Sequence, residues 1–173
     1  MTPYLRIEPV SYGAREKLWL AQSGHYLQRP LPGCLFAIGV YEAQPGLTGD
    51  LVSVGPLRGL CLVGRPTARA LPQDGSVGEV TRMVLEPGLP HGTASAVLLR
   101  AAALARHRGM RELIAYHDRT RHTGCIYRKA GFRKDGVVSA RRTGWGSRSG
   151  RPSAGDTPAS KRRWRLVLAE ELA

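Results

Sequence analysis

Acids, cysteines and long apolar runs are all scarce in this 173-residue chain, and each shortage excludes something. Asp and Glu number 13 against 26 Lys and Arg, a formal net charge of +13. A cleft for a cationic amine would have few carboxylates to draw on. No apolar run approaches the ~18 residues of a membrane-spanning helix, which excludes a helical membrane protein. The first ten residues hold no apolar stretch of the signal-peptide kind. The three cysteines, Cys34, Cys61 and Cys125, are odd in number, far apart and form no C-x-x-C pair. A disulfide framework and a Cys-rich zinc site are therefore not expected, and a reducing cytoplasm is.

The hydrophobic fraction of 42% argues against global disorder. The length suits one domain with a real core. The charge is uneven. Residues 119–165 hold fourteen Lys or Arg and two acids, Asp135 and Asp156, while the rest of the chain is nearly neutral. Such a basic region is the footprint of a polyanion binder. Its cations include Arg141, Arg142, Arg148, Arg151, Lys161, Arg162 and Arg163. Trp145 and Trp164 lie among them, and Trp can stack on unpaired bases. DNA is the expected partner, with tRNA as a second; no membrane partner is expected, and a homodimer is compatible with the sequence. The bland reading is an Arg-rich solubilising surface.

Tyr4–Val10 reads as a strand. Ser11 can cap a helix running to about Leu27, with His25 and Tyr26 near its end. Cys34–Tyr41 is a continuous apolar strand. Leu57–Val63 is another, extended by Leu51–Val54 through a bulge, and Thr67–Leu71 could continue the sheet. Pro72-Gln73-Asp74-Gly75 is a turn. Gly78–Glu86 reads as a strand, and Thr93 or Ser95 caps a helix to His107 that Gly109 stops. Glu112–His117 is a strand, parallel to the one before that helix. His122–Ala130 reads as a short helix and Val137–Ala140 as a strand. Thr143–Ser160, with four Gly, two Pro and four Ser, reads as a flexible loop, and Lys161–Ala169 as a last strand. The predicted class is α/β: a central mixed sheet with antiparallel N-terminal strands, one parallel β-α-β step and flanking helices. Residues 1–142 form the catalytic domain, 143–160 the loop, and 161–173 a basic strand completing the same domain.

This order resembles the GNAT (N-acetyltransferase-like) fold. Met83–Pro87 leading through a loop into a helix resembles the strand-to-helix cofactor motif. Tyr127-Arg128-Lys129-Ala130-Gly131-Phe132 is similar to the Y-x-x-x-G-F signature, and the match spans about Tyr4 to Val138. A narrower resemblance, to the phage and prophage group related to Mom, rests on Ala37–Val40, Val63–Pro66, Glu79-Val80-Thr81-Arg82, the Ser95 helix and the basic tail Lys161-Arg162-Arg163-Trp164. It implies a phage- or prophage-encoded transferase converting adenine in DNA to an N6-carbamoylmethyl form, which protects phage DNA from restriction. The GNAT resemblance implies acetyl-CoA or another acyl-CoA as cofactor, bound by Val84, Leu85, His91, Gly92, Thr93, Ala94 and Ser95. Ordinary GNAT enzymes carry Q/R-x-x-G-x-G/A there. This chain has a single Gly between Leu89 and Ser95, so the unsatisfied N–H groups of the helix start are left to hold phosphate.

The candidate catalytic residues follow. Tyr127 would protonate a leaving thiolate, as the family's Tyr does; a phenol is neutral at pH 7 and can donate within hydrogen-bond reach. Arg82, expected on the face opposite Glu79 by strand alternation, would clamp an oxygen. Asp118, at the end of a parallel strand, would take a proton or orient a base, or else cap the next helix. His25 and Tyr26 would border the substrate cleft, His25 as a base near neutrality. No H-E-x-x-H or similar spacing occurs, so no metal is required. Iron, which the Mom resemblance raises, could involve only His25 with Glu8 or Asp118. Two other readings stay open: an acetyl-CoA-dependent N-acetyltransferase acting on aminoacyl-tRNA or another amine, and a catalytically degenerate nucleic-acid binder.

Overall fold

A computed structural model describes residues 4–24, 33–46, 50–138 and 160–168. The chain runs β1 (Tyr4–Val10), α1 (Ala14–Gln22), β2 (Phe36–Pro45), β3 (Leu51–Gly64), β4 (Val77–Leu85), α2 (Thr93–His107), β5 (Glu112–Asp118), α3 (Cys125–Lys129), β6 (Arg133–Val138) and β7 (Lys161–Val167). The seven strands form one sheet in the order β1-β2-β3-β4-β5-β7-β6. β4 and β5 are parallel, joined by α2, and the other neighbours are antiparallel. This is the mixed α/β sheet expected from the sequence.

Each face carries its own core. On one, α2 buries Val97, Leu98, Ala101, Ala102 and Ala105, spaced three and four apart, against Ile38, Val40, Cys61, Val63, Val80, Leu113 and Ala115. A fully buried Val or Leu contributes about 1.5–3 kcal/mol, so this stripe anchors α2. On the other, Tyr12, Trp19 and Leu20 cover Ala37, Tyr41, Leu57, Leu60 and Leu62.

Several boundaries differ from the predicted ones. α1 stops at Gln22, not Leu27: Ser23 Oγ donates to Leu20 O and Gly24 takes φ +66°, a left-handed turn open to glycine. His25 and Tyr26 lie outside the described residues. β3 runs unbroken over Leu51–Gly64, with a register irregularity between Ser53 and Leu57, in keeping with the expected extension through a bulge. Residues 67–71 turn instead of continuing the sheet, because Thr67 is tied to Glu79 and Leu71 N donates to Ala68 O. α3 is only five residues long. Its predicted first turn is taken by Asp118, whose backbone carbonyl accepts from Arg121 and His122 N–H. β6 begins at Arg133, four residues before the predicted start.

One irregularity shapes the site. Leu62 pairs with Arg82 but Val63 pairs with Val80, so Thr81 is an extra residue in β4. A bulge of this kind resets strand alternation. Glu79 and Arg82 therefore share a face, the one covered by α1, and the expectation of opposite faces is corrected. Glu79 is buried and accepts from Thr67 N at 2.7 Å and Thr67 Oγ1 at 3.0 Å. Burial pushes its carboxyl above the usual range, opposed by those hydrogen bonds and by Lys161 and Arg82. Glu79→Ala strands the Thr67 donors. It is expected to cost about 1–3 kcal/mol, read as a lower denaturant midpoint.

Candidate active site where β4 and β5 part

β4 and β5 pair only from Val77–Val80 to Glu112–Ala115. Thr81–Leu85 and Tyr116–Asp118 run on without pairing to one another, so the sheet opens at the carboxyl ends of its parallel strands. That is where open α/β sheets take ligands.

Arg82 and Asp118 lie on the α1 face of the two parting strands. Arg82 is half-buried and its Nη1 donates to Thr81 O at 2.9 Å. Asp118 is buried. Its Oδ1 accepts from Thr120 Oγ1 at 2.6 Å and Thr120 N at 2.8 Å, and Oδ2 lies 3.5 Å from Arg121 Nε. The Thr120 hydroxyl leads in holding this carboxyl below the usual range, with burial opposing it. Asp118 is thus a standing anion near neutrality. It suits accepting a hydrogen bond from an amine better than removing a proton.

Tyr127 lies on the α2 face, buried, at the third position of α3. Its ring stacks on His117 (centroids 5.8 Å, 16°) and Trp164 (5.6 Å, 20°), with Phe132 edge-on at 5.9 Å. Trp164 is therefore core. The prediction that it offers a face to unpaired bases is corrected, because its indole is only 3% exposed. Trp145 lies outside the described residues. Burial, followed by the charges of His122 and Arg162, holds the His117 imidazole below its usual 6.5, with Asp118 opposing. An unfolded His protonates near 6.5 while the native one stays neutral. Its stability contribution is therefore complete above 6.5 and lost as pH falls through the window beneath. Replacing His117 with Asn should flatten that part of a stability-versus-pH curve.

A cavity of about 240 Å³ opens at the start of α2. Of the residues expected to hold the cofactor, Leu85, His91, Gly92, Thr93, Ala94 and Ser95 line it, joined by Cys125 and Lys129. Val84 does not line it: the side chain is buried opposite Leu60, on the other face. Gly92 precedes α2 with φ +94°, and neither Thr93 nor Ser95 caps the helix through its side chain. Thr93 Oγ1 donates to Pro90 O at 2.7 Å, and Ser95 Oγ to Ile126 O at 3.2 Å, which ties α2 to α3. Both hydroxyl protons are spent, so only backbone N–H groups remain for an anion. Lys129 Nζ lies 3.0 Å from His91 Nε2 at the mouth. A helix N-terminus beside a lysine fits the phosphates of an acyl-CoA. Lys129 was missed in the sequence because it fills a variable position of the Y-x-x-x-G-F motif. His117 was missed as a working residue because a lone His beside Asp118 has no motif. The Cys125 thiol, exposed at this mouth, is held below its usual value mainly by Thr123.

The basic residues divide. Lys161 pairs with Asp118 and Arg162 with His117 across β5 and β7, so both stand beside the opening. Arg163 and Arg165 are engaged within the sheet. Arg163 Nε lies 2.7 Å from Asp135, and Arg165 reaches Asp135 at 2.9 Å and Glu112 at 2.6 Å. Arg163 is therefore a structural cation rather than a free phosphate ligand. Arg141, Arg142, Arg148 and Arg151 lie outside the described residues. Among the described residues, no group of three or more His, Cys, Asp or Glu could hold a metal, and no helix is long and apolar enough to cross a membrane.

Similar structures agree with the topology. A Bacillus subtilis acetyltransferase in complex with CoA is 18% identical, with a TM-score of 0.59 over 96% of this chain and 100% of that one. An N-acetyltransferase from Staphylococcus aureus is 15% identical, with a TM-score of 0.62 over 96% and 99%. The Salmonella typhimurium protein yncA, described with its cofactor acetyl-CoA, is 12% identical, with a TM-score of 0.63 over 98% and 96%. At these identities the likeness establishes the GNAT fold. No curated protein matches the chain in sequence. The model of the Mom protein family matches residues 5–156. With a GNAT sheet, a parting between β4 and β5, and a family match over most of its length, the chain belongs to the Mom protein family.

Proposed function

We propose that this protein is a GNAT-fold transferase that modifies a nucleobase in DNA, with the adenine N6 amine as acceptor, and so shields phage DNA from restriction. The observation that carries the reading is the pairing of β7 with β5. It sets Lys161 and Arg162 directly beside Asp118 and His117, so cations for a phosphate backbone border the opening that holds the candidate chemistry.

The residues divide the work by face. Asp118 accepts a hydrogen bond from the exocyclic amine and orients it. Arg82, on the same face, supplies positive charge for a developing oxyanion. Tyr127, on the α2 side, delivers a proton to the leaving thiolate, and the proton shed by the acylated amine restores the phenol. When bound, an acyl-CoA supplies an activated acyl group; its phosphates would be held by the α2 N–H groups and Lys129. A base stacked in a duplex cannot reach the opening, so the substrate is a flipped or single-stranded base.

Nucleoside mass spectrometry of DNA from cells expressing the protein tests this, beside a Tyr127→Phe control. The expected result is a new modified deoxyadenosine that the control lacks, with a mass that identifies the transferred group. Unmodified DNA would defeat the proposal. It would favour acetyl-CoA-dependent acylation of aminoacyl-tRNA or another amine, a reading that the cation-bordered cavity at α2 also supports. DNA affinity should fall steeply with salt. Lys161→Ala and Arg162→Ala should each lower the slope of log K against log salt by about 1. A flat salt response would remove the polyanion reading.

A further inference from the structure

Trp164 and His117 are both buried, and the chemistry above leaves the bond between them unused. Trp164 arrives on β7 two residues after Arg162, the cross-strand partner of His117. That diagonal brings the rings into contact, and the indole Nε1–H donates to His117 Nδ1 at 2.6 Å. An indole nitrogen can only donate, so His117 Nδ1 must be bare and the ring proton must sit on Nε2. A second proton on Nδ1 would set two donors against each other in a buried space.

The pair also makes a surface. Tyr127 lies nearly parallel to both rings, 5.8 Å from His117 and 5.6 Å from Trp164. Gly124 closes over their edges so tightly that a Cβ there would stand 2.6 Å from Trp164 Cζ2 and 2.7 Å from His117 Cε1. The tyrosine ring therefore has its plane set by two neighbours that a hydrogen bond has locked together.

We infer that Trp164 and His117 form a positioning device for the Tyr127 phenol, in which the indole N–H keeps His117 in its neutral Nε2–H form. The inference rests on Tyr127 being the proton donor proposed above. An imidazolium stacked on the phenol would favour the phenolate and give up the indole bond, so the neutral ring is the working form. Charged and titratable groups around His117 come from each packed element. Asp118 follows it on β5, and Arg119 and His122 stand on the next turn. Arg162 lies opposite on β7, and Tyr127 on α3. The cations and burial favour the neutral ring, and Asp118 alone opposes them.

Long-range 1H–15N spectra of the full chain between pH 5 and 8 test the lock. His117 is expected to keep its proton on Nε2, with its titration displaced below that of an ordinary imidazole. In Trp164→Phe the titration should move up towards that of an ordinary imidazole. The same variant should lower DNA modification about tenfold at pH 7 and further at pH 6. Adding it to Tyr127→Phe should cost nothing more. His117→Asn, whose Oδ1 can accept the indole N–H, should retain most activity where His117→Leu does not. An unchanged His117 titration in Trp164→Phe would overturn the inference. So would an activity loss equal at both pH values that tracks loss of thermal stability. Full activity in Tyr127→Phe would defeat the proton-donor reading instead, and the spectra would still decide for or against the lock.

Discussion

Gly124→Ala should destabilise the fold by about 2–5 kcal/mol, combining a left-handed backbone penalty with overpacking of a filled core. Gly124 takes φ +77°, a conformation that a residue with a Cβ adopts at a cost. The new methyl would also enter the space between Trp164 and His117 at 2.6 and 2.7 Å. Neither ring has an easy retreat. Trp164 is hydrogen-bonded to His117, and both press on Tyr127. Equilibrium unfolding in denaturant measures the cost. A loss below about 0.5 kcal/mol, the scale of ordinary surface substitutions, would mean that the aromatic cluster is looser than described. Gly88→Ala is the comparison, since its φ is +83° but nothing lies within 4 Å of its Cβ position. That variant should show only the backbone part, about 1–2 kcal/mol.

Tyr127→Phe should leave the fold nearly intact while lowering transfer about 10²–10⁴-fold, the usual contribution of a positioned proton donor. The substitution removes one oxygen and keeps the ring that stacks on His117 and Trp164. Stability should therefore change by about 1 kcal/mol or less, the worth of one hydrogen bond. The contrast between intact stability and lost modification separates proton delivery from packing. Single-turnover measurement of nucleoside modification reads it. Activity within about threefold of the wild type, less than 1 kcal/mol of barrier, would end the proton-donor assignment.

Much of the fold was legible because local chemistry and the final sheet agree. SAVLLRAAALARH has apolar residues at helical spacing, and α2 buries them. Y-x-x-x-G-F singled out Tyr127, and the structure gives that tyrosine an aromatic bed. What stayed hidden depended on partners distant in sequence. The run RKDGVV looks too charged for a strand until Asp135 meets Arg163 and Arg165 across the sheet. Trp164 looked exposed among cations because strand alternation sends it to the core while Arg163 and Arg165 face the other way. The Thr81 bulge is the sharpest case. It changes no residue type, yet it moves Arg82 onto the face of Glu79. Nothing in EVTR announces it, since the register is set by strand β3.

The place of β7 also sets an order of assembly. β7 lies between β5 and β6, paired on both sides, although the chain passes through both of those strands first. The bond between His117 and Trp164 spans 47 residues. Contacts of such separation form late, after the loop-closure entropy has been met. β2 to β4 can zip as sequential hairpins, and α2 can dock on them, before β7 arrives. Until then β5 and β6 have no strand between them and the Tyr127 ring lacks half its bed. A folding chain would hold the cavity at α2 before it holds a positioned phenol, so donor binding can precede catalytic competence during folding.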